Sequence, residues 1–176
     1  MTTEIFQIER KTFHADFAPQ VSSSQPFKVR SVPNPYFIEW LADSTSPECV
    51  INADASAILL IDTNIKNLWF KGLRSDLPIF EITASEANKN IYTAIKFAEF
   101  MESIGATKGN MVYVVGGGVM QDLGAFACAM FKRGIPWTYL PTTLLGMSDS
   151  CVGGKTGLNH GATKNLIALF AAPRRV

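Results

Sequence analysis

Apolar residues follow two different rhythms along this chain, and the change between them falls near residue 57. From there on, short unbroken apolar runs alternate with stretches whose apolar positions recur every three or four residues. Ala57-Ile58-Leu59-Leu60-Ile61-Asp62 suits a strand buried on both faces, and a helix follows it through Leu68. Residues 79–83 predict a second strand. Thr83-Ala84-Ser85-Glu86 then has the Thr-x-x-Glu spacing of a capping box, and the helix it opens places Ile91, Ala94, Ile95, Ala98, Met101 and Ile104 on one face, with Gly105 at its end. Residues 111–115 predict a third strand, 121–132 a largely apolar and therefore buried helix, and 137–140 a fourth strand.

Before residue 57 the pattern is broken by turn formers, Ser22-Ser23-Ser24-Gln25-Pro26 and Pro33-Asn34-Pro35. Phe27-Lys28-Val29-Arg30-Ser31-Val32 alternates like an edge strand, and Tyr36-Phe37-Ile38-Glu39-Trp40-Leu41 predicts one or two helical turns after a proline start. Residues 1–57 are thus expected to be a lead-in segment packed on a main domain, 58–176. Strands alternating with helices predict an α/β fold, a Rossmann-like parallel sheet with helices on both faces and right-handed crossovers. Such sheets bind ligands at the C-terminal strand ends, which singles out Asp62, the turn at Gly116-Gly117-Gly118 and Pro141-Thr142-Thr143.

Composition narrows the classes of function. The 176 residues carry 47% hydrophobic and 18% charged side chains and a net charge of +1, the balance of one globular domain with no bias towards nucleic acid or an anionic membrane. Charge is uneven along the chain: residues 1–57 hold seven acids and four bases, whereas residues 123–176 hold one acid, Asp149, and six bases. The second half suits an anionic ligand. Three cysteines without a CxxC pair predict a reducing, cytoplasmic setting, and the sequence has neither a leader pattern nor an apolar run long enough to span a membrane.

Candidate chemistry gathers in two glycine-rich runs. Val114-Val115-Gly116-Gly117-Gly118-Val119 is a strand running into glycines and then a helix, either an ordinary tight turn or one that brings bare N–H groups to a phosphate; the turn alone does not decide. Gly153-Gly154-Lys155-Thr156 resembles the end of a nucleotide-triphosphate loop, but Asp149 stands where that loop needs a glycine, which excludes the reading. With only His14 and His160 in the chain, a complete metal site is not expected, and Ser-His-Asp chemistry has no Gly-x-Ser-x-Gly behind it. The aromatic residues are not interleaved with basic runs, so nucleic-acid binding has no motif.

Taken together, Glu86-x-x-Lys89, Gly116-Gly117-Gly118-Val119-x-x-Asp122, Arg133-Gly134, Pro141-Thr142-Thr143-Leu144-Leu145, Asp149-Ser150-x-Val152-Gly153-Gly154-Lys155-Thr156-Gly157-x-Asn159-His160 and Lys164-Asn165 resemble, in order and spacing, the N-terminal domain of the 3-dehydroquinate synthase family. The likeness runs from about Ile58 to the end. It implies a lyase of the shikimate pathway to aromatic amino acids, a sugar phosphate cyclase that uses NAD transiently, with a divalent zinc or cobalt ion polarising the oxidised hydroxyl. It also implies roles. Asp62 and Asn64 would contact the adenosine side; Glu86 and Lys89 are further dinucleotide contacts. Gly117, Gly118 and Val119 form the pyrophosphate turn, and Asp122, Thr142, Thr143 and Leu145 complete the cofactor wall. Asp149 and Lys155 face the substrate, with Lys155 also touching the cofactor. Asn165 and Lys164 sit near the substrate phosphate and the cofactor, and Arg133 reaches a neighbouring subunit's phosphate site, hence a homodimer.

The pattern departs from the family in two ways. Gln121 replaces the glycine usual before Asp122, which with Cys151 and the long lead-in suggests a divergent branch. The family's metal ligands lie in a helical C-terminal domain expected beyond Val176, so the 176 residues alone are expected not to turn over. Two other functions stay open at this level: a valiolone-type cyclase of sedoheptulose 7-phosphate, and a nucleotide-binding or dimerisation module without catalysis.

Overall fold

The computed structural model describes residues 2–8, 11–17, 26–30, 34–41, 45–150 and 152–176, the first two segments by backbone alone. Residues 22–25, 31–33 and 151 of the sequence reading lie outside the described residues. β1 (Thr2–Ile8) and β2 (Lys11–Phe17) pair antiparallel, as do β3 (Phe27–Val29) and β4 (Tyr36–Ile38). Next come α1 (Pro47–Ala53), β5 (Ala57–Asp62), α2 (Thr63–Trp69), β6 (Ile79–Ile82), α3 (Ile91–Ser103), β7 (Met111–Gly116), α4 (Gly118–Met130), β8 (Trp137–Pro141), β9 (Lys155–His160) and β10 (Thr163–Phe170). A single 3-10 turn, Phe131–Arg133, and a π turn, Gly146–Ser150, complete the order.

Four of these strands form the expected parallel sheet in the order β6-β5-β7-β8. Ile58, Leu60, Val112 and Val114 point to one face, where α3 and α4 cover them with Phe97, Met101, Leu123 and Phe126. Leu59, Ile61 and Val115 point to the other, against Ile51 of α1 and Ile65 of α2. Both faces being covered explains why β5 and β7 read as unbroken apolar runs, each fully buried side chain contributing about 1.5–3 kcal/mol. Phe80, Phe97 and Phe100 extend the first layer as an aromatic cluster, with ring centroids 5.3 and 5.5 Å apart around Phe80.

Three expectations are corrected. Residues 36–41 are not helical: Tyr36–Ile38 is a strand, because backbone partners from the far end of the chain claim it. The Phe37 and Val176 N–H groups donate to the Arg174 and Phe37 carbonyls, while the Tyr139 N–H of β8 donates to the Arg175 carbonyl. Residues 174–176 therefore lie between β8 and β4 and splice the β3–β4 hairpin onto the main sheet. The capping box at Thr83 is not formed either. Asn90 caps α3 instead, its side-chain oxygen accepting from the Thr93 N–H at 3.0 Å, because Glu86 is drawn away to Asn159. With that later start, the buried face of α3 is Ala94, Phe97 and Met101; Ile95 and Ile104 are exposed.

Among the described residues no helix is long and apolar enough to cross a membrane. Behind α1, Tyr113 donates its hydroxyl to Asp54 Oδ2 at 3.1 Å, and Asp54 also accepts from the Ser56 N–H and hydroxyl. Burial works against the Asp54 charge, yet these hydrogen bonds together hold its carboxyl below the usual range. Burial, then the Asp54 contact, pushes Tyr113 up to about 12 from an ordinary 10.0.

A raised folded-state value means this contribution is intact below pH 10 and is lost as the pH rises towards 12. Urea midpoints measured across that window should fall for the wild type and fall less for Tyr113→Phe. A second expectation concerns Gly124, where an added Cβ would meet Val114 Cγ2 at 2.5 Å and Leu60 Cδ2 at 3.2 Å. Gly124→Ala should lift α4 off the sheet and lower the unfolding free energy by about 1–3 kcal/mol, read from the denaturation midpoint.

Candidate functional site

The strand order reverses between β5 and β7, so the chain leaves their C-terminal ends towards opposite faces and opens a crevice between Asp62 and Gly116. Gly116 has φ 151, and a Cβ there would strike Met120 Cγ at 2.4 Å, so only glycine permits this tight entry into α4. Its carbonyl is fixed from two sides, by the Tyr139 hydroxyl at 3.1 Å and the Thr142 N–H at 3.0 Å. Gly117 caps α4 without a side-chain hydrogen bond, so the first N–H groups of the helix face the crevice with the positive end of its dipole. Space lies open around Gly118, where a Cβ would meet nothing within 4 Å.

Asp62 closes the other side as the cap of α2. Its Oδ1 accepts from the Asn64 N–H at 3.2 Å and from the Ala84 N–H at 3.3 Å, tying the loop after β6 to the crevice, while the Asn64 side chain is exposed. Thr143 stands against Gly117, with Cγ2 2.9 Å from a hypothetical Cβ, and its Oγ1 accepts from the Gly146 N–H at 3.0 Å. Leu145 is 63% exposed beside Leu144 and Met147. Val119 is half-buried on the first turn of α4.

One turn further along α4 lies a buried ion pair. Lys89 Nζ sits 2.5 Å from Asp122 Oδ2 and donates to Asn165 Oδ1 at 2.8 Å, while Asp122 Oδ1 accepts from the Gly157 N–H at 3.1 Å. Thr156 donates its hydroxyl to the Asp122 carbonyl at 2.8 Å. The loop before α3, the first turns of α4 and the β9–β10 hairpin are thereby locked together. A cleft of about 500 Å³ opens beside this lock, and its walls include Asp149, Lys155 and Asn165 as well as Asp122.

A second cleft of about 480 Å³ lies at the hairpin turn, with Glu86, Asn159, His160 and Lys164 on its walls. Asn159 donates to Glu86 Oε2 at 2.8 Å and Lys164 Nζ lies 3.9 Å from the same oxygen. The Asn159 hydrogen bond, reinforced against burial by the Lys164 and Lys89 charges, lowers the Glu86 pKa. Asn165 turns through φ 52 as its N–H donates to Asn159 Oδ1, linking the two clefts.

Arg133 stands apart from the crevice and from both clefts. It is exposed, at φ 64, beyond the C-terminal end of α4, a 13-residue helix and so about 20 Å from the glycine turn. Sequence reasoning missed the Tyr139 and Thr156 hydroxyls, which fix the backbone beneath the site. Thr156 carried a signal, its place in the run Gly153-Gly154-Lys155-Thr156; Tyr139 looked like any core aromatic.

The family described as 3-dehydroquinate synthase N-terminal matches residues 79–176. A 3-dehydroquinate synthase from Streptococcus sanguinis (strain SK36) is 31% identical over 134 residues, 76% of this chain and 38% of that protein. The chain thus spans little more than a third of the length of that relative. A 2-deoxy-scyllo-inosose synthase complexed with carbaglucose-6-phosphate, NAD+ and Co2+ superposes with a TM-score of 0.69 at 22% identity, over 86% of this chain and 44% of that one. A 2-epi-5-epi-valiolone synthase from Streptomyces hygroscopicus subsp. jinggangensis 5008, with NAD+ and Zn2+ bound, gives 0.70 at 24% identity, over 93% and 44%. At these identities the two structures establish the shared fold.

The Lys89 and Asp122 side chains are 10% and 18% exposed, so removing one charge strands the other in a poorly solvated place. Lys89→Met should lower the unfolding free energy by about 3 kcal/mol in urea denaturation. Lys89→Met combined with Asp122→Asn should recover part of the loss, since no unpaired carboxylate then remains.

Proposed function

The chain belongs to the 3-dehydroquinate synthase family, and from that premise we propose that it is the NAD-holding part of a sugar phosphate cyclase. The reaction of this reading is a carbon–oxygen lysis that releases phosphate from a 3-deoxy-heptulosonate 7-phosphate and closes a carbocycle. One observation carries it: the uncapped start of α4 at Gly117 and Gly118 adjoins, through Asp122, a cleft walled by Asp149, Lys155 and Asn165. A dinucleotide turn and a polar cleft with Lys155 in its wall then share one helix.

NAD, when bound, would take a hydride from the ring carbon that bears a hydroxyl, the hydroxyl losing its proton, and would return the hydride later in the cycle. The chain's own residues bind and orient. N–H groups at the start of α4 hold the pyrophosphate, with Val119 beneath it, and Thr142, Thr143 and Leu145 wall the cofactor beside them. Asp62 and Asn64 receive the adenosine side, and Glu86 completes the dinucleotide contacts. Lys89 acts through Asp122, whose carboxylate it holds in place. Asp149 and Lys155 face the substrate, Lys155 reaching the cofactor as well, and Asn165 and Lys164 meet the substrate phosphate. The described residues bring no three His, Cys, Asp or Glu side chains together, so they do not fit the zinc or cobalt of the family.

The reading includes a homodimer in a cytoplasmic setting. Arg133 lies too far along α4 to reach this chain's own crevice, which supports its serving the phosphate site of a second copy.

Calorimetric titration of NAD into the chain should give saturable binding. Gly118→Val should weaken it at least tenfold, about 1.4 kcal/mol, while leaving the denaturation midpoint nearly unmoved, because the added side chain meets open space. A wild-type chain that takes up no NAD would overturn the cofactor role. For the reaction, phosphate release by the complete enzyme should be seen with 3-deoxy-arabino-heptulosonate 7-phosphate and not with sedoheptulose 7-phosphate.

A further inference from the structure

Gln121 is 3% exposed on the first turns of α4, yet it is among the residues that wall the larger cleft. Its Nε2 donates to the carbonyl oxygen of Ser150, at the end of the π turn Gly146–Ser150 that carries Asp149. With the amide held that way, Oε1 points elsewhere and is buried without a partner. The Ser150 and Thr142 hydroxyls are buried and unpartnered in the same region of the fold. Each such group has given up its hydrogen bonds to water without replacement, so a glutamine here is an unfavourable way to fill space that an apolar side chain could fill. The hydrogen bonds of Gly146 to Thr143 and of Ser148 to Leu144 stay within the segment and do not tie it to α4.

We propose that Gln121 is a positioning residue: through the Ser150 carbonyl it clamps the turn to α4 and so fixes the Asp149 carboxylate on the wall of the cleft. Asp122, the next residue, is locked to Lys89, so the clamp places Asp149 relative to a carboxylate that cannot move. Asp149 is otherwise exposed on a π turn, an uncommon geometry that recurs at functional sites. That Asp149 faces a sugar phosphate rests on the cyclase reading; the clamp itself does not.

The test is hydrogen–deuterium exchange on the full chain without ligand. Gln121→Met keeps the volume and removes the donor, and should speed exchange of the amides at 147–150 at least tenfold while those at 123–130 stay as in the wild type. Gln121→His, which again offers a ring N–H, should restore slow exchange, a recovery that space-filling alone cannot produce. In a ¹⁵N–¹H spectrum of the wild type, one Gln121 side-chain proton should resonate downfield and exchange slowly. Wild-type protection in Gln121→Met, or no recovery in Gln121→His, overturns the proposal. If the clamp signatures hold while the wild type binds no NAD, the cyclase reading fails and the clamp stands.

Discussion

A lysine ammonium in a poorly solvated place must be paired, and Lys89 decides what this domain can look like by the partners it takes. One is a carboxylate on α4 and the other an amide on the β9–β10 hairpin, so a single charge demands that three separately folded pieces meet. Everything at the mouth of the sheet is arranged around that meeting. Asp122 is held so firmly that its second oxygen is committed to the Gly157 N–H, and the hairpin is thereby seated along α4. The crevice owes its tight entry to its glycines, and the hairpin beside it owes its seat to this lock one turn behind them.

Much of this was legible in the sequence because the central strands are buried on both sides. Where every side chain of a segment must be apolar, as in β5 and β7, composition alone reveals the element, and the glycines after β7 announce the turn. What the sequence hid is whatever depends on a distant partner. Tyr36-Phe37-Ile38 carries no local preference strong enough to resist the backbone groups of residues 174–176, so its helical pattern is overruled. Glu86 has the spacing of a capping box but finds a better donor in Asn159, and the cap moves to Asn90.

The site divides along the same line. Residues attached directly to strand ends, Asp62, Gly116 to Gly118, Thr142 and Thr143, are placed by the sheet and could be named in advance. Those on the hairpin, Lys155, Asn159, Lys164 and Asn165, took their meaning only from a motif resemblance, since the two strands that carry them did not announce themselves as strands. Their polar residues interrupt the alternation, and a glycine at 157 sits where a strand would ordinarily carry a side chain. Arg133 belongs to neither group, and its distance from the crevice follows from the length of one helix.

The splice at residues 174–176 bears on how the chain is made. Synthesis proceeds from the N-terminus, and β3 and β4 emerge long before the segment that must lie beside them. Until residues 174–176 have been made and placed, this hairpin has an unsatisfied edge and the β8 side of the sheet has another, two exposed rows of peptide groups open to the wrong neighbour. The contact joins Phe37 to Arg175, far apart in the sequence, which makes closure of that margin a slow, late event in folding.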